Sequence, residues 1–168
     1  MLNKLKNKKA FTIAETLVAI LIMLMVSSIL VTGIPAAKDA YEKVFVRSNA
    51  EVALSTAVYA LRTEMAGARD VKVKGSSVQY LNGTYGSQSK IYMGSNKIMY
   101  QRYALVGDED STEGAQPLVS KSASDGMYIK YDGVSKGDGY ITFKKLGVYK
   151  KAGDSNHKVS RDLSIPIF

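Results

Sequence analysis

At 168 residues the chain has room for one modest globular domain once an apolar segment is set aside. It contains no cysteine, which excludes a disulfide framework, a thiolate nucleophile and any Cys-ligated metal site. The net charge of +8 is concentrated: Lys4, Lys6, Lys8 and Lys9 lie in the first ten residues with no acid beside them, and without those four lysines it falls to +4, too little by itself to argue for a nucleic-acid partner.

Thr16 to Ile34, TLVAILIMLMVSSILVTGI, is a run of 19 residues without a charge. At ~1.5 Å per residue a helix of that length matches the hydrocarbon thickness of a bilayer. Lysines crowd the side before it and mixed signs follow it, so the first ten residues are expected in the cytoplasm and everything beyond about residue 35 outside. The run is longer than the ~7 to 15 apolar residues of a secretory signal peptide. The nearest small-residue site, IPAAKDA, would put Ile34 or Pro35 in the upstream specificity position. An uncleaved anchor fits the hydropathy but leaves Glu15 without a purpose. A carboxylate within a membrane helix costs up to ~3 kcal/mol at mid-depth. Near the helix start it costs less and complements the positive end of the helix dipole.

The residues that carry a resemblance are the Lys-rich leader, the small Ala10, and the FTIAETLVAILIM that follows. Together they resemble the class III signal of type IV pilins and of the pseudopilins of type II secretion and competence systems. The likeness is close over residues 4 to 35 and architectural beyond. It implies cleavage by a prepilin peptidase between Ala10 and Phe11, N-methylation of Phe11, and a role for Glu15 as the family's glutamate at the fifth mature position. The family more often has glycine where this chain has Ala10. On this reading a cut before Phe11 leaves a charged amine in a low-dielectric setting, and the Glu15 carboxylate of a neighbouring subunit is its natural partner.

Gly33 and Pro35 close the apolar run and are expected to kink or break the helix. The helix pattern resumes from Ala36: Leu54, Val58, Leu61 and Met65 recur at helical spacing beside Ala50, Ala53 and Ala57, marking the face on which a sheet packs. Lys43, Arg47, Glu51, Arg62 and Glu64 point elsewhere, Tyr41 to Val46 is expected to face neighbours or solvent, and Gly67 is a stop signal. Strands are then predicted at 71–74, 77–81, 90–94, 97–105, 127–132, 140–149 and 158–167. Turn clusters separate them, among them Gly94, Ser95 and Asn96 as a tight hairpin and DGVSKGDG; residues 108–126 form the longest polar loop. The domain plan is a leader (1–10), a helix (11–66, with a membrane part 11–34 and an amphipathic part 36–66) and a β-rich head (67–168). The fold class is α+β: one long N-terminal helix packed on a mostly antiparallel sheet, the pilin-like architecture.

No catalytic constellation assembles, and no cofactor or metal is expected. His157 stands in a turn-like KAGDSNHKV without a nucleophile nearby. Asp108, Asp110 and Thr112 have calcium-loop spacing, but Glu113 and Val119 occupy the places that need glycine and glutamate. Lys144, Lys145, Lys150 and Lys151 around Tyr149 would suit DNA or an anionic wall polymer, although lysines guarding a strand edge are the commoner meaning. Asn82-Gly83-Thr84 matches a glycosylation sequon. The expected function is a minor structural subunit of a type IV pilus-like or pseudopilus filament, not an enzyme. Its partners would be other such subunits, the prepilin peptidase, an inner-membrane assembly platform and, through the single helix, the membrane; its location would be the cytoplasmic membrane and then a cell-surface filament. The alternative is an uncleaved, signal-anchored ligand-binding or sensor domain that never polymerises.

Overall fold

A computed structural model describes residues 13–84, 86–94, 97–103, 114–150 and 157–167. The fold is α+β: among the described residues, helix α1 (Ile13–Glu64) precedes nine strands, and every strand pairing is antiparallel. The chain divides into two units, the first ending at Val44 and the second spanning Phe45–Phe168.

In the first unit α1 continues through Gly33 and Pro35, so the expected break does not end the helix. Proline removes one backbone donor, and the turns on either side keep their own hydrogen bonds. Both threonine hydroxyls in this stretch bond back to the helix: Thr16 Oγ1 donates to the Ile13 carbonyl at 2.8 Å and Thr32 Oγ1 to that of Ser28 at 3.0 Å.

In the second unit the end of α1 buries Ala50, Ala53, Leu54, Ala57 and Leu61, the stripe expected from spacing, against the strands. Met65 and Ala68 follow into the core as the helix closes at Gly67, whose φ of +66° suits a residue without a Cβ.

Two sheets form rather than one. The first is a meander of β1 (Arg69–Lys74), β2 (Ser77–Leu81), β3 (Gln88–Gly94), β4 (Lys97–Tyr103) and β5 (Gln116–Pro117). Val78 of β2 lies opposite Ile91 of β3, and both are fully buried with Tyr80 in the core. Gly94 pairs with Lys97, the register of the expected hairpin; Ser95 and Asn96 lie outside the described residues. The loop expected over 108–126 lies outside them as far as Glu113, and beyond that it holds β5 and the turn 121–126.

The second sheet is built around β8 (Tyr140–Tyr149). β9 (Val159–Pro166) pairs along one side of it, while β6 (Tyr128–Lys130) and β7 (Gly133–Gly137) share the other. β7 falls within the cluster DGVSKGDG expected as turn: only Asp138 and Gly139 make the turn, and residues 133–137 are strand because they pair residue for residue with Lys144 to Tyr140. Apolar residues on β8 change phase, Ile141 and Phe143 then Leu146 and Val148, because Lys144 and Lys145 form a bulge opposite β9. Lys145 has φ +47°, and its backbone N–H donates to Asp162 Oδ1 at 2.8 Å. The bulge therefore keeps all four apolar side chains on the core face. Tyr131 Oη to the Ser76 carbonyl (2.7 Å) and Lys136 Nζ to the Val71 carbonyl (2.8 Å) tie the two sheets together.

Glu64, expected on the solvated side of the helix, is instead buried. Asn82 explains it: its amide donates to the Glu64 carbonyl at 2.6 Å and to Glu64 Oε1 at 3.1 Å, and Tyr80 Oη donates to the same carboxylate oxygen at 3.3 Å. The next residue, Gly83, passes so close to the helix-terminal turn that a Cβ there would fall on the carbonyl oxygen of Gly67. Backbone cannot move aside as a flexible side chain would. Gly83→Ala is therefore expected to cost ~1–3 kcal/mol, read as a lower urea midpoint with an unchanged slope.

Candidate functional site

From Ile13 to Ala37, α1 presents a single charged group. Glu15 sits in the first described turn, flanked along one side of the helix by Ala14, Val18, Ala19 and Ile22. Every large apolar side chain from Ile13 to Ile34 is at least half exposed, the least exposed being Val26 at 50 %. By length and composition this is the one helix, among the described residues, able to cross a membrane. Ala10 and Phe11, the expected processing residues, lie outside the described residues, so no geometry relates them to Glu15.

Further along the helix a second apolar feature appears. Phe45, Val52 and Tyr59 are exposed at 51, 62 and 73 % and recur every seven residues, which places them in one line on the side opposite Ala50, Ala57 and Leu61. Only Phe45 belongs to the stretch read from sequence as facing neighbours. The seven-residue spacing was the available signal for the other two, masked by the stronger pattern of the core face.

On the head, the lysines around Tyr149 do not guard an edge, since β8 is the central strand of its sheet. They also divide: Lys145 Nζ reaches Asp132 Oδ2 at 3.4 Å, while Lys150 follows the far end of the strand and Lys151 lies outside the described residues. The cation nearest the Tyr149 ring is Lys130, with Nζ 4.4 Å from its centroid. Burial raises the pKa of Tyr149, the Asp132 carboxylate adds to the rise and Lys145 opposes it. His157 is exposed and meets the edge of the same ring at 6.2 Å. Asp108, Asp110, Thr112 and Glu113 lie outside the described residues, and among the described residues no cluster of three metal-ligating side chains exists. Asn82 is fully buried and hydrogen-bonded, so in the folded protein the sequon offers no accessible amide.

Tyr131 has a different part. Its ring packs edge-on to Phe143 at 5.2 Å, its hydroxyl donates to Ser76, and burial pushes its pKa well above the usual tyrosine range. In the unfolded chain the phenol ionises near pH ~10, while in the fold it keeps its proton. The native state then binds more protons, and stability is expected to fall above pH ~10, by up to ~1.4 kcal/mol per pH unit. Tyr131→Phe is expected to flatten that alkaline decline, after a loss of ~1 kcal/mol at neutral pH for the hydrogen bond, when urea midpoints are compared across pH.

No family model, no curated protein and no solved structure matches this chain.

Proposed function

We propose that this protein is a minor structural subunit of an extracytoplasmic helical filament of the type IV pilin and pseudopilin kind. The observation that carries the reading is Glu15, the one charged residue from Ile13 to Ala37, in the first turn of a helix whose large apolar side chains from Ile13 to Ile34 are all exposed. Lipid already satisfies those apolar groups, so exchanging lipid for like helices gains nothing from hydrophobicity as such. Packing and the pairing of Glu15 distinguish the two settings. The chain enters the membrane with its lysines inside, is cut between Ala10 and Phe11 and methylated, and leaves lipid for a bundle in which Glu15 meets a neighbour's terminal amine. The exposed line of Phe45, Val52 and Tyr59 extends the apolar helical surface into the head, where neighbouring subunits would cover it.

The absence of cysteine gives a direct test against an anchored domain that does not polymerise. Val52→Cys supplies the only thiol, on an exposed helical position. A short bismaleimide applied to cells assembling the filament joins one thiol to one neighbour's thiol and is expected to give a cross-linked dimer in the sheared surface fraction. A monomer band alone, with the thiol shown to be reactive, would contradict assembly.

A further inference from the structure

The head carries a cavity of about 220 Å³ lined by Phe45, Val46, Asn49, Asp125, Gly126, Met127 and Lys150. Three elements make it: one turn of α1, the turn 121–126, and the exit of β8. The turn is held firmly. Ser124 N–H donates to the Ser120 carbonyl at 3.1 Å and Gly126 N–H to that of Lys121 at 2.9 Å. Asp125 and Gly126 adopt successive positive φ values of 50° and 71°, and at a non-glycine residue that conformation is uncommon and marks functional positions more often than chance. Asn49 Nδ2 fixes the aspartate by donating to Oδ2 at 2.9 Å.

This arrangement leaves Asp125 Oδ1 and the Lys150 ammonium without a partner among the described residues, and they do not pair with each other. One small cavity is thus lined by an exposed carboxylate and an exposed ammonium that form no ion pair with each other, with Phe45, Val46 and Met127 as its apolar wall. Opposite charges that line one space without meeting suit a ligand bearing both signs. The volume lies below the ~300–1,000 Å³ of pockets that take drug-sized molecules, so the ligand is small.

We propose that this cavity binds a small zwitterionic α-amino acid with an apolar side chain. Its ammonium group would donate to Asp125, its carboxylate would accept from Lys150, and its side chain would lie on Phe45, Val46 and Met127. The site uses neither cleavage nor Glu15 and shares only Phe45 with the line assigned to neighbouring subunits, so its test on the isolated chain is separate from that of the filament reading.

The test is calorimetric titration of the full chain in detergent with L-leucine, leucinamide and 4-methylpentanoate, the two analogues lacking the negative and the positive group respectively. Saturable binding of leucine is expected, with each analogue weaker by about tenfold or more. Asp125→Asn keeps an acceptor for Asn49 and a residue type that tolerates positive φ, and Lys150→Met keeps most of the side-chain length. Each is expected to weaken leucine about tenfold or more. Lys150→Met is expected to leave leucinamide unchanged, and Asp125→Asn to leave 4-methylpentanoate unchanged. Absence of saturable leucine binding, equal binding of the three compounds, or retention of leucine affinity in either variant would overturn the proposal.

Discussion

Glu15→Ala is expected to abolish accumulation of the protein in the filament fraction while leaving membrane insertion and the folded head intact. Substitution removes a carboxylate from the first turn of α1, in the unit that ends at Val44; the core residues of the head begin at Ala50. Insertion should if anything improve, because the apolar run loses its one charge. Assembly should not. In a filament the neighbour's terminal amine would be left buried without its partner, and stranding one member of a buried ion pair costs about 3–5 kcal/mol, roughly two to four orders of magnitude in the equilibrium for each contact. Glu15→Gln restores a hydrogen-bond acceptor without the charge and should recover only part of the loss. Immunoblots of sheared surface and membrane fractions, with limited proteolysis of the head as the folding control, read both effects. Normal filament levels of Glu15→Ala would mean that the carboxylate has no intersubunit partner.

Phe143→Ala is expected to produce the largest loss of stability of any single truncation in the head, about 3–5 kcal/mol. Phe143 is fully buried on β8, the strand that pairs with three others, and its ring meets Tyr131 edge-on at 71°. Phe143 lies on a strand held on both sides, opposite Val134 of β7 and Leu163 of β9, which limits how far β8 can relax into the cavity left behind. Domains of this size are stable by only about 5–15 kcal/mol, so the variant should unfold at a much lower urea concentration with a similar slope. Tyr140→Ala, which removes a half-exposed ring from the same strand, provides the control and should cost much less.

How much of this fold was legible depended on whether the deciding interactions were local. The stripe Leu54, Val58, Leu61 and Met65 with its alanines is a period along one helix, and all of it is buried except Val58, which is partly buried against the core. Strands at 77–81 and 140–149 matched residue for residue, because alternation and flanking turns bounded them. β7 was missed because Gly133, Ser135 and Gly137 have weak strand character, and only pairing with β8 makes them strand. The burial of Glu64 depends on Asn82, 18 residues further on, and the Asn49 to Asp125 hydrogen bond spans 76 residues. No window of sequence contains such partners. The same limit separates two distinct features: Glu15 announces itself as a charge beside an apolar run, whereas the cavity beside Asn49 exists only once the turn 121–126 is placed against residues 45–49 of the helix. The division into two sheets likewise follows from which strands find β8, a non-local choice that a list of strands does not contain.

The central claim is that Glu15 is one half of a pair whose other half is created by cleavage. Its most direct test is the intact mass and N-terminal sequence of the protein isolated from cells with and without the prepilin-type peptidase. The account predicts a chain that begins at N-methylated Phe11 only when the peptidase is present, and an unprocessed chain still beginning at Met1 when it is absent. An intact N-terminus at Met1 in both would contradict it.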